Sequence, residues 1–299
     1  LKGTPFVFHV QDLQVDAARQ LGIIRRPGLL KFLEGFEKFF MRRADLVSTI
    51  STEMQIKLLQ KGLPLHKTAI FPNWVDTDSL CPIPEQRPFL KEKYGFKPWE
   101  DVVLYSGNLG EKQGLDTVLE AALMLQNNNA NNTQFLIVGE GAARKRLVRK
   151  KEELGLTNLR FAPLVPKEEL PTLLNMADLH LVLQKRGASD LVMPSKLSGI
   201  LACGGVPLVA AEKNSGLRSL IETENMGITI DPECVSTLSQ SIQSFFQTLR
   251  SDALSQNGRQ YAIRHYGKDQ ILSTFEERLH YLLGENVYKE SLYVETVRS

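Results

Sequence analysis

Cysteine is scarce in this sequence, and the three that occur lie far apart. Cys81, Cys203 and Cys234 form no C-x-x-C pair, which excludes a zinc or redox site of that type. An odd number of separated cysteines argues against a disulfide scaffold and favours a reducing compartment. The histidines are dispersed as well, and none has a partner at the spacing of a metal site, so we expect neither a metal nor another cofactor.

Other absences narrow the function further. No apolar run approaches the ~18 residues that span a bilayer, and the start shows no signal peptide, so we expect a cytoplasmic protein. The 299 residues include 36 basic and 34 acidic ones, and a net charge of only +2 disfavours a nucleic-acid partner. There is no G-x-S-x-G elbow and no G-x-x-x-x-G-K-[ST] loop, which leaves hydrolase and P-loop chemistry without support.

Short apolar runs alternate with amphipathic stretches, and this pattern predicts a parallel α/β fold in two domains. Residues 1–80 predict strands at PFVFHV, DLVSTIS and AIFPN, with two helices between them, the second capped by Ser51. Residues 99–250 predict six strands in a doubly wound sheet. The four prolines of residues 81–98 predict a linker. Residues 251–299 predict a helix followed by a polar tail. Because residue 1 is Leu and opens a strand-like run, we expect the first domain to be incomplete.

The sharpest motif follows the first predicted strand of the second domain and precedes a helix. Glycine lets the backbone approach a ligand closely, and a helix start offers N–H groups and positive dipole to an anion. A lysine in the motif adds a full charge. The pattern favours a diphosphate cradle over an ordinary glycine-rich turn. Its candidate residues are Gly107, Asn108, Gly110, Lys112, Gln113 and Gly114.

A second glycine pair, Gly139-Glu140-Gly141, follows the next predicted strand. It lacks the third glycine of the dinucleotide fingerprint, because that position is Arg144, and this demotes a hydride-transfer enzyme. Glu140 remains a candidate for donor binding.

Three more sets of residues have both a functional and a structural interpretation. Ser195 and Lys196 open a predicted helix, where a lysine helps only if an anion is bound; otherwise Lys196 faces solvent. His9 and Asp12 end the first strand and are weighed equally as cleft residues and as structural ones. The aromatic stripe of the first long helix is predicted to face the core, the alternative being an interfacial membrane helix. The stripe comprises Phe32, Phe36, Phe39 and Phe40.

Four segments, in this order and spacing, resemble the retaining glycosyltransferases of family four, which have the GT-B fold. They are SGNLGEKQGLDTVLEA, FLIVGEGAARKRL, NLRFAPLVPKEELPTLLNMADLHLVL and MPSKLSGILACGGVPLVA. With HVQDLQVDAA upstream, the chain is most similar to the colanic-acid-type exopolysaccharide branch, whose members are fucosyltransferases or relatives of O-antigen aminosugar transferases. The family's amino-terminal glycine-rich loop is absent.

The resemblance implies two Rossmann-like domains and transfer of a sugar, with retention, from a nucleoside diphosphate sugar to a glycan or lipid-linked glycan. The expected domains are an acceptor-side domain in residues 1–80, a donor domain in residues 99–250 and a last helix that crosses back to the first domain. Contact with the inner face of the plasma membrane is a further expectation. We expect catalytic roles for Lys112, Asp190, His9 and Asp12.

The sequence departs from the family at its basic and acidic positions. Asn108 and Gln113 stand where the family's G-R-L-x-x-x-K-G loop has arginine and lysine. The family's paired glutamates fall near Leu191 and Gly199, which leaves Asp190 as the nearby acid. These losses favour an alternative, a nucleotide-sugar-binding or regulatory module without turnover. A sugar-nucleotide epimerase is a weaker one, because no Tyr-x-x-x-Lys pair is suitably placed. We also expect poor turnover from this chain if its first domain is incomplete.

Overall fold

The computed structural model describes residues 4–13, 15–16, 26–128, 132–186, 194–249 and 252–284, without the side chains of Lys112 and Leu249. Internal contacts divide the chain into two compact units: residues 1–73 with 268–299, and residues 74–267. Each unit has its own parallel sheet. Among the described residues, no helix combines the length and the apolarity needed to cross a membrane.

The sheet of the first unit has three parallel strands in the order in which they occur along the chain: β1 (Val7–Val10), β2 (Leu46–Thr49) and β3 (Thr68–Ile70). They are connected by α1 (Pro27–Arg43) and α2 (Thr52–Gln60). Ser51 caps α2, since its side chain accepts a hydrogen bond from the Met54 N–H at 3.3 Å. The strand and helix predictions for this segment and the Ser51 cap are therefore confirmed.

The sheet of the second unit has six parallel strands in the order β6-β5-β4-β7-β8-β9. The strands are β4 (Asp101–Ser106), β5 (Thr133–Val138), β6 (Leu159–Ala162), β7 (Leu179–Leu183), β8 (Pro207–Ala210) and β9 (Ile228–Ile230). The chain winds outward from β4 in one direction and from β7 in the other. The point of reversal, between β4 and β7, is where sheets of this type bind ligands.

Helices cover both faces of this sheet. They are α3 (Arg87–Lys93), α4 (Asp116–Asn127), α5 (Arg144–Glu153), α6 (Leu170–Met176), α7 (Ser195–Ala202), α8 (Gly216–Thr223), α9 (Val235–Ser244) and α10 (Asp252–Tyr266). Side chains of a strand alternate between two apolar clusters: Val103 and Tyr105 belong to one, and Val102 and Leu104 to the other. The predicted α/β class and the predicted doubly wound sheet are confirmed.

The proline-rich segment 81–98 is folded onto the second sheet. Pro84 and Pro88 stand at the first positions of short helices, where a missing N–H is tolerated, so they start helices here. Leu90 and Phe96 are buried in one of the two apolar clusters of that unit. The prolines predicted stiffness, but the apolar residues between them determine where the segment lies.

Three of the four phenylalanines of the α1 stripe do not face a core, so that prediction is wrong for them, whereas Phe40 is half-buried and contacts Phe8. Phe32, Phe36 and Phe39 are 66%, 55% and 54% exposed. The helix instead buries Met41, which is 1% exposed, on its other side. Periodicity showed that the phenylalanines share one side of the helix, but it cannot say which side the sheet takes.

The two ends of the second unit meet. The Val75 N–H donates a 2.8 Å hydrogen bond to the Tyr266 carbonyl, and Val75 pairs with Gly267 in a parallel bridge. After Gly267, α11 (Lys268–Leu282) belongs to the first unit. There the Phe275 ring stacks on Phe71 at 4.1 Å between centroids.

Candidate anion site at the sheet switch point

The candidate site lies in the second unit, beyond the carboxyl ends of β4 and β7. The loop 107–114 follows β4, and α7 begins shortly after β7. Because the strand order reverses between these two strands, their loops diverge and leave a crevice. A Cβ at residue 107 would lie 3.3 Å from Lys196 Nζ, so the predicted glycine motif and Lys196 lie side by side at this edge of the sheet.

The loop after β4 is held by the loop after β5. The Gly107 N–H donates to the Val138 carbonyl at 2.9 Å, and the Leu109 N–H donates to the Glu140 carbonyl at 2.8 Å. The Gly107 N–H is thus already used in a hydrogen bond within the protein. The hydrogen bonds fix the path of the loop.

The second glycine pair, Gly139 and Gly141, makes these hydrogen bonds between the two loops possible. A Cβ at residue 139 would lie 1.9 Å from the Gly107 carbonyl oxygen, and one at residue 141 would lie 2.6 Å from the Leu109 carbonyl. Glycine is needed at both positions because two backbones meet there. The pair is accounted for by packing between loops, without a dinucleotide.

The rest of the motif lines the same loop. Gly110 precedes the short turn Glu111–Gln113, and Gly114 ends it in the left-handed region with φ of +63°. The Asn108 and Gln113 side chains both lie beside Gly110. The side chain of Lys112 lies outside the described part of the structure, so its expected role stays a prediction.

Lys196 has the most unusual environment of the predicted residues. It stands in the first turn of α7, partly exposed along its length, but its Nζ atom is buried and has no hydrogen-bond partner among the described residues. Nζ lies 3.7 Å from the centre of the Tyr105 ring. Burial lowers the pKa of the Lys196 ammonium from its usual 10.5 to about 7. A desolvated cation without an anionic partner is unfavourable, so the site is suited to receive an anion.

Tyr105 is a site residue that the sequence analysis missed. Its ring is 1% exposed and lies beneath Lys196, and its hydroxyl donates a 2.8 Å hydrogen bond to the Asn108 carbonyl. Burial raises the pKa of the Tyr105 phenol above its usual range, so the hydroxyl stays a donor. A signal was present: a tyrosine in an otherwise apolar strand needs a polar partner for its hydroxyl.

The remaining predicted residues have other surroundings. Glu140 is exposed and lies 3.4 Å from Arg144 Nε in an ion pair. Ser195 is exposed, and its carbonyl accepts from the Ser198 hydroxyl at 3.0 Å. Asp190 lies outside the described residues.

His9 and Asp12 belong to the first unit. The two ring nitrogens of His9 lie 3.0 Å from Ser48 Oγ and 3.0 Å from Gln11 Oε1. Asp12 is exposed just after β1. These contacts fix the imidazole plane.

No group of three or more His, Cys, Asp or Glu side chains within the described ranges is arranged to hold a metal ion. The described residues at the switch point supply a cation, a hydrogen-bonded loop and a helix start.

Comparison with known proteins identifies the family. Residues 86–261 match the protein family described as Glycosyl transferases group 1. The chain is also 36% identical, over 92% of its length and 67% of the relative's, to the "Putative colanic acid biosynthesis glycosyl transferase WcaI" of Escherichia coli (strain K12). The chain belongs to the group 1 glycosyltransferases, and it spans about two thirds of the length of that relative.

Solved structures agree on the fold. Sucrose-phosphate synthase from Thermosynechococcus elongatus matches with a TM-score of 0.75 and 18% identity, over 94% of this chain and 68% of that one. Anabaena HepE in complex with UDP-glucose matches with a TM-score of 0.70 and 19% identity, over 93% and 72%. The predicted GT-B-like architecture of two parallel-sheet units is confirmed.

Proposed function

We propose that this chain transfers a sugar from a nucleoside diphosphate sugar to a glycan or lipid-linked glycan acceptor, with retention, in bacterial-type exopolysaccharide or O-antigen synthesis. Its family supports glycosyl transfer. The name of the Escherichia coli relative supports the pathway class, and the UDP-glucose complex of HepE supports the class of donor.

One observation supports the donor most directly: the buried ammonium of Lys196, which has no hydrogen-bond partner among the described residues. A group in this condition destabilises the empty protein unless a ligand completes it. A diphosphate would supply negative charge at the same place as the positive end of α7. The neutral sugar and nucleoside parts of the donor would not.

The same charge would act in the reaction. As the bond to the sugar breaks, negative charge grows on the departing diphosphate, and a preorganised cation stabilises that state. We assign this task to Lys196, with Lys112 and the loop from Asn108 to Gln113 as further contacts. These groups would neutralise the diphosphate without a metal ion.

Calorimetry on the wild type, on Lys196→Met and on a control lysine variant tests the assignment. We expect Lys196→Met to bind a nucleoside diphosphate sugar about 10- to 100-fold more weakly, the scale of one charged hydrogen bond. Binding of the matching nucleoside, which has no diphosphate, should not change. Lys97→Met is the matched control, because Lys97 is an exposed lysine just before β4, at the opposite edge of the sheet. Equal losses for the sugar nucleotide and the nucleoside would contradict the proposal.

A second candidate, a nucleotide-sugar-binding module without turnover, is favoured by the surroundings of Gly199. This is one of the two positions where the family resemblance places a donor-contacting glutamate. A Cβ there would lie 3.5 Å from Leu174 and 3.8 Å from Leu80, so the position faces apolar side chains. Release of nucleoside diphosphate in the presence of acceptor distinguishes the candidates, since a module that only binds gives none.

A further inference from the structure

One arginine of α5 holds the turn Glu111–Gln113 of the anion site from outside. Arg146 donates to both carboxylate oxygens of Glu111, from Nε to Oε1 at 3.3 Å and from Nη2 to Oε2 at 2.9 Å. The same guanidinium donates to Asp116 in the first turn of α4, from Nη1 to Oδ1 at 2.6 Å and from Nη2 to Oδ2 at 2.9 Å. A planar group with five N–H donors suits two carboxylates at once.

These contacts complement the backbone hydrogen bonds of the loop 107–114. The backbone bonds join the first half of the loop to the loop after β5. Glu111 belongs to the second half, which contains Gln113 and Gly114, two of the predicted donor-binding residues. Glycine loses more conformational freedom on folding than any other residue, so a segment that ends on Gly114 is costly to fix. Arg146 therefore restrains the half of the loop that needs restraint most.

The charges of this cluster also matter to an anion. A carboxylate in a loop that binds a diphosphate repels the ligand unless a cation neutralises it. Arg146 supplies that cation to Glu111, and Lys150 adds a second one, with Nζ 3.1 Å from Asp116 and 2.7 Å from Glu120. The hydrogen bonds from Arg146 lower the pKa of Asp116 to about 2, so this carboxylate stays ionised at neutral pH.

The exposure of the cluster separates its effect on the loop from its effect on stability. The side chains of Arg146 and Glu111 are 46% and 59% exposed. Ion pairs this exposed contribute little to the stability of a fold. Their effect is on local order, because a surface turn opens far more easily than the sheet beneath it.

We propose that Arg146 is a positioning residue for the donor diphosphate, since its guanidinium joins Glu111 to Asp116 and so fixes the turn that carries Gln113. This role rests on the proposed function, because the turn needs a fixed geometry only if it contacts the diphosphate. Arg146 acts through Glu111, and we assign it no contact with the donor.

Calorimetric titration with UDP and with GDP tests this role. We expect Arg146→Met to bind the diphosphate about 10-fold more weakly than the wild type, because a displaced binding group costs affinity on this scale. The melting temperature should change little. Arg146→Lys should recover only part of the loss, since a compact ammonium does not hold two carboxylates in a fork. In a Glu111→Ala background, Arg146→Met should weaken binding less than about twofold, because the contact is already gone.

The matched control is Arg149→Met on the same helix. Arg149 forms its ion pair within α5, with Nε 2.8 Å from Glu153 Oε1, and its side chain is 80% exposed. The control removes the same charge from the same helix but no contact with the loop. Its affinity for UDP and GDP should therefore equal that of the wild type.

Hydrogen exchange measured without ligand separates the role of Arg146 from the proposed function. The Gln113 N–H donates to the Gly110 carbonyl at 3.3 Å, so this amide reports on the turn. In Arg146→Met it should exchange about fivefold faster than in the wild type and in Arg149→Met, because the turn opens more often.

Three results would overturn the role of Arg146. They are unchanged exchange at Gln113 in Arg146→Met, equal diphosphate affinity of Arg146→Met and Arg149→Met, and full recovery of affinity by Arg146→Lys. A wild type that binds neither UDP nor GDP would instead count against the proposed function, and the exchange rate of Gln113 would still decide whether Arg146 fixes the turn.

Discussion

Lys196 and Tyr105 form a cation–π pair at the switch point of the larger sheet, with Nζ 3.7 Å from the ring centre. Tyr105 also donates a hydrogen bond to the Asn108 carbonyl, so one buried ring supports both the cation and the loop. The pair places the Lys196 ammonium in an apolar environment. The protonation of Lys196 is therefore coupled to the binding of an anion.

The first prediction concerns proton uptake. With the pKa of Lys196 lowered to about 7 by burial, part of the free protein is neutral there at physiological pH. A bound diphosphate raises that pKa, so binding takes up a proton and weakens as the pH rises above about 7. In calorimetry, the apparent binding enthalpy of a sugar nucleotide should depend on the ionisation enthalpy of the buffer. Lys196→Arg should lose this dependence, because arginine stays protonated; an unchanged dependence would assign the proton to another group.

The second prediction concerns stability without ligand. In the unfolded chain Lys196 has its usual pKa of 10.5, and in the folded protein it is about 7, so the unfolded state binds more protons between these values. The penalty is therefore complete below about pH 7 and disappears as the pH rises to 10.5. At about pH 7 and below, Lys196→Met should therefore have a higher melting temperature than the wild type. This difference should shrink in alkaline buffer. A variant that is less stable at neutral pH would contradict the burial of the ammonium.

The third prediction separates the two roles of Tyr105. Tyr105→Phe keeps the ring beneath Lys196 but removes the hydrogen bond to the loop, so it should lower the free energy of unfolding by about 1 kcal/mol. Tyr105→Leu also removes the aromatic face, and it should destabilise the unit further. Donor titrations and urea melts on both variants check this. Identical affinities and stabilities for Phe and Leu would show that the ring face contributes nothing.

The fourth prediction concerns two glycines with opposite surroundings. Gly139→Ala places a methyl group 1.9 Å from the Gly107 carbonyl oxygen, so it should displace the loop and abolish donor binding. Gly199→Ala, inside α7, meets nothing closer than 3.5 Å and should stabilise the fold by about 0.5–1 kcal/mol through helix propensity. Thermal melts and donor titrations of the two variants give the comparison. Normal donor binding by Gly139→Ala would mean that the two loops can separate freely.

The fifth prediction tests the packing of segment 81–98. Lys91 Nζ lies 2.7 Å from Asp178 Oδ2 and 2.6 Å from the Glu100 carbonyl, and both charged side chains are buried. Lys91→Met should destabilise the second unit by about 3 kcal/mol, because it leaves the buried Asp178 carboxylate with the more distant Arg87, 3.7 Å away, as its cation. Adding Asp178→Asn should recover part of that loss in denaturant melts. If Lys91→Met were as stable as the wild type, the packing of segment 81–98 would contribute no stability, as expected of a linker.

Much of the fold could be predicted because strands and helices have different periods. The run LHLVL coincides with β7, and Val118, Leu119 and Ala122, which recur at helical spacing, are all buried along α4. The placement of elements could not be read the same way. The phenylalanines of α1 share a side, but the side that packs is set by Met41 and by the sheet.

The sequence predicted which turns form the candidate site, but it did not predict which atoms surround Lys196 and Gly139. Glycines at strand ends indicated an anion loop, and the sequence placed Lys196 at a helix start. The burial of Nζ depends on Tyr105, which is distant in sequence, and the need for Gly139 depends on a carbonyl of another loop. Such contacts between remote segments leave no local pattern.

The meeting of Val75 with Tyr266 and Gly267 has a consequence for the architecture of the gene. Residues at the beginning and at the end of the second unit are hydrogen-bonded neighbours, so this unit is an insertion within the chain of the first unit. It can be copied, exchanged or removed as one block, because a short loop could join the two chain ends that its removal would leave. Recombination between related glycosyltransferases could then change the second unit while the first unit keeps its own sequence.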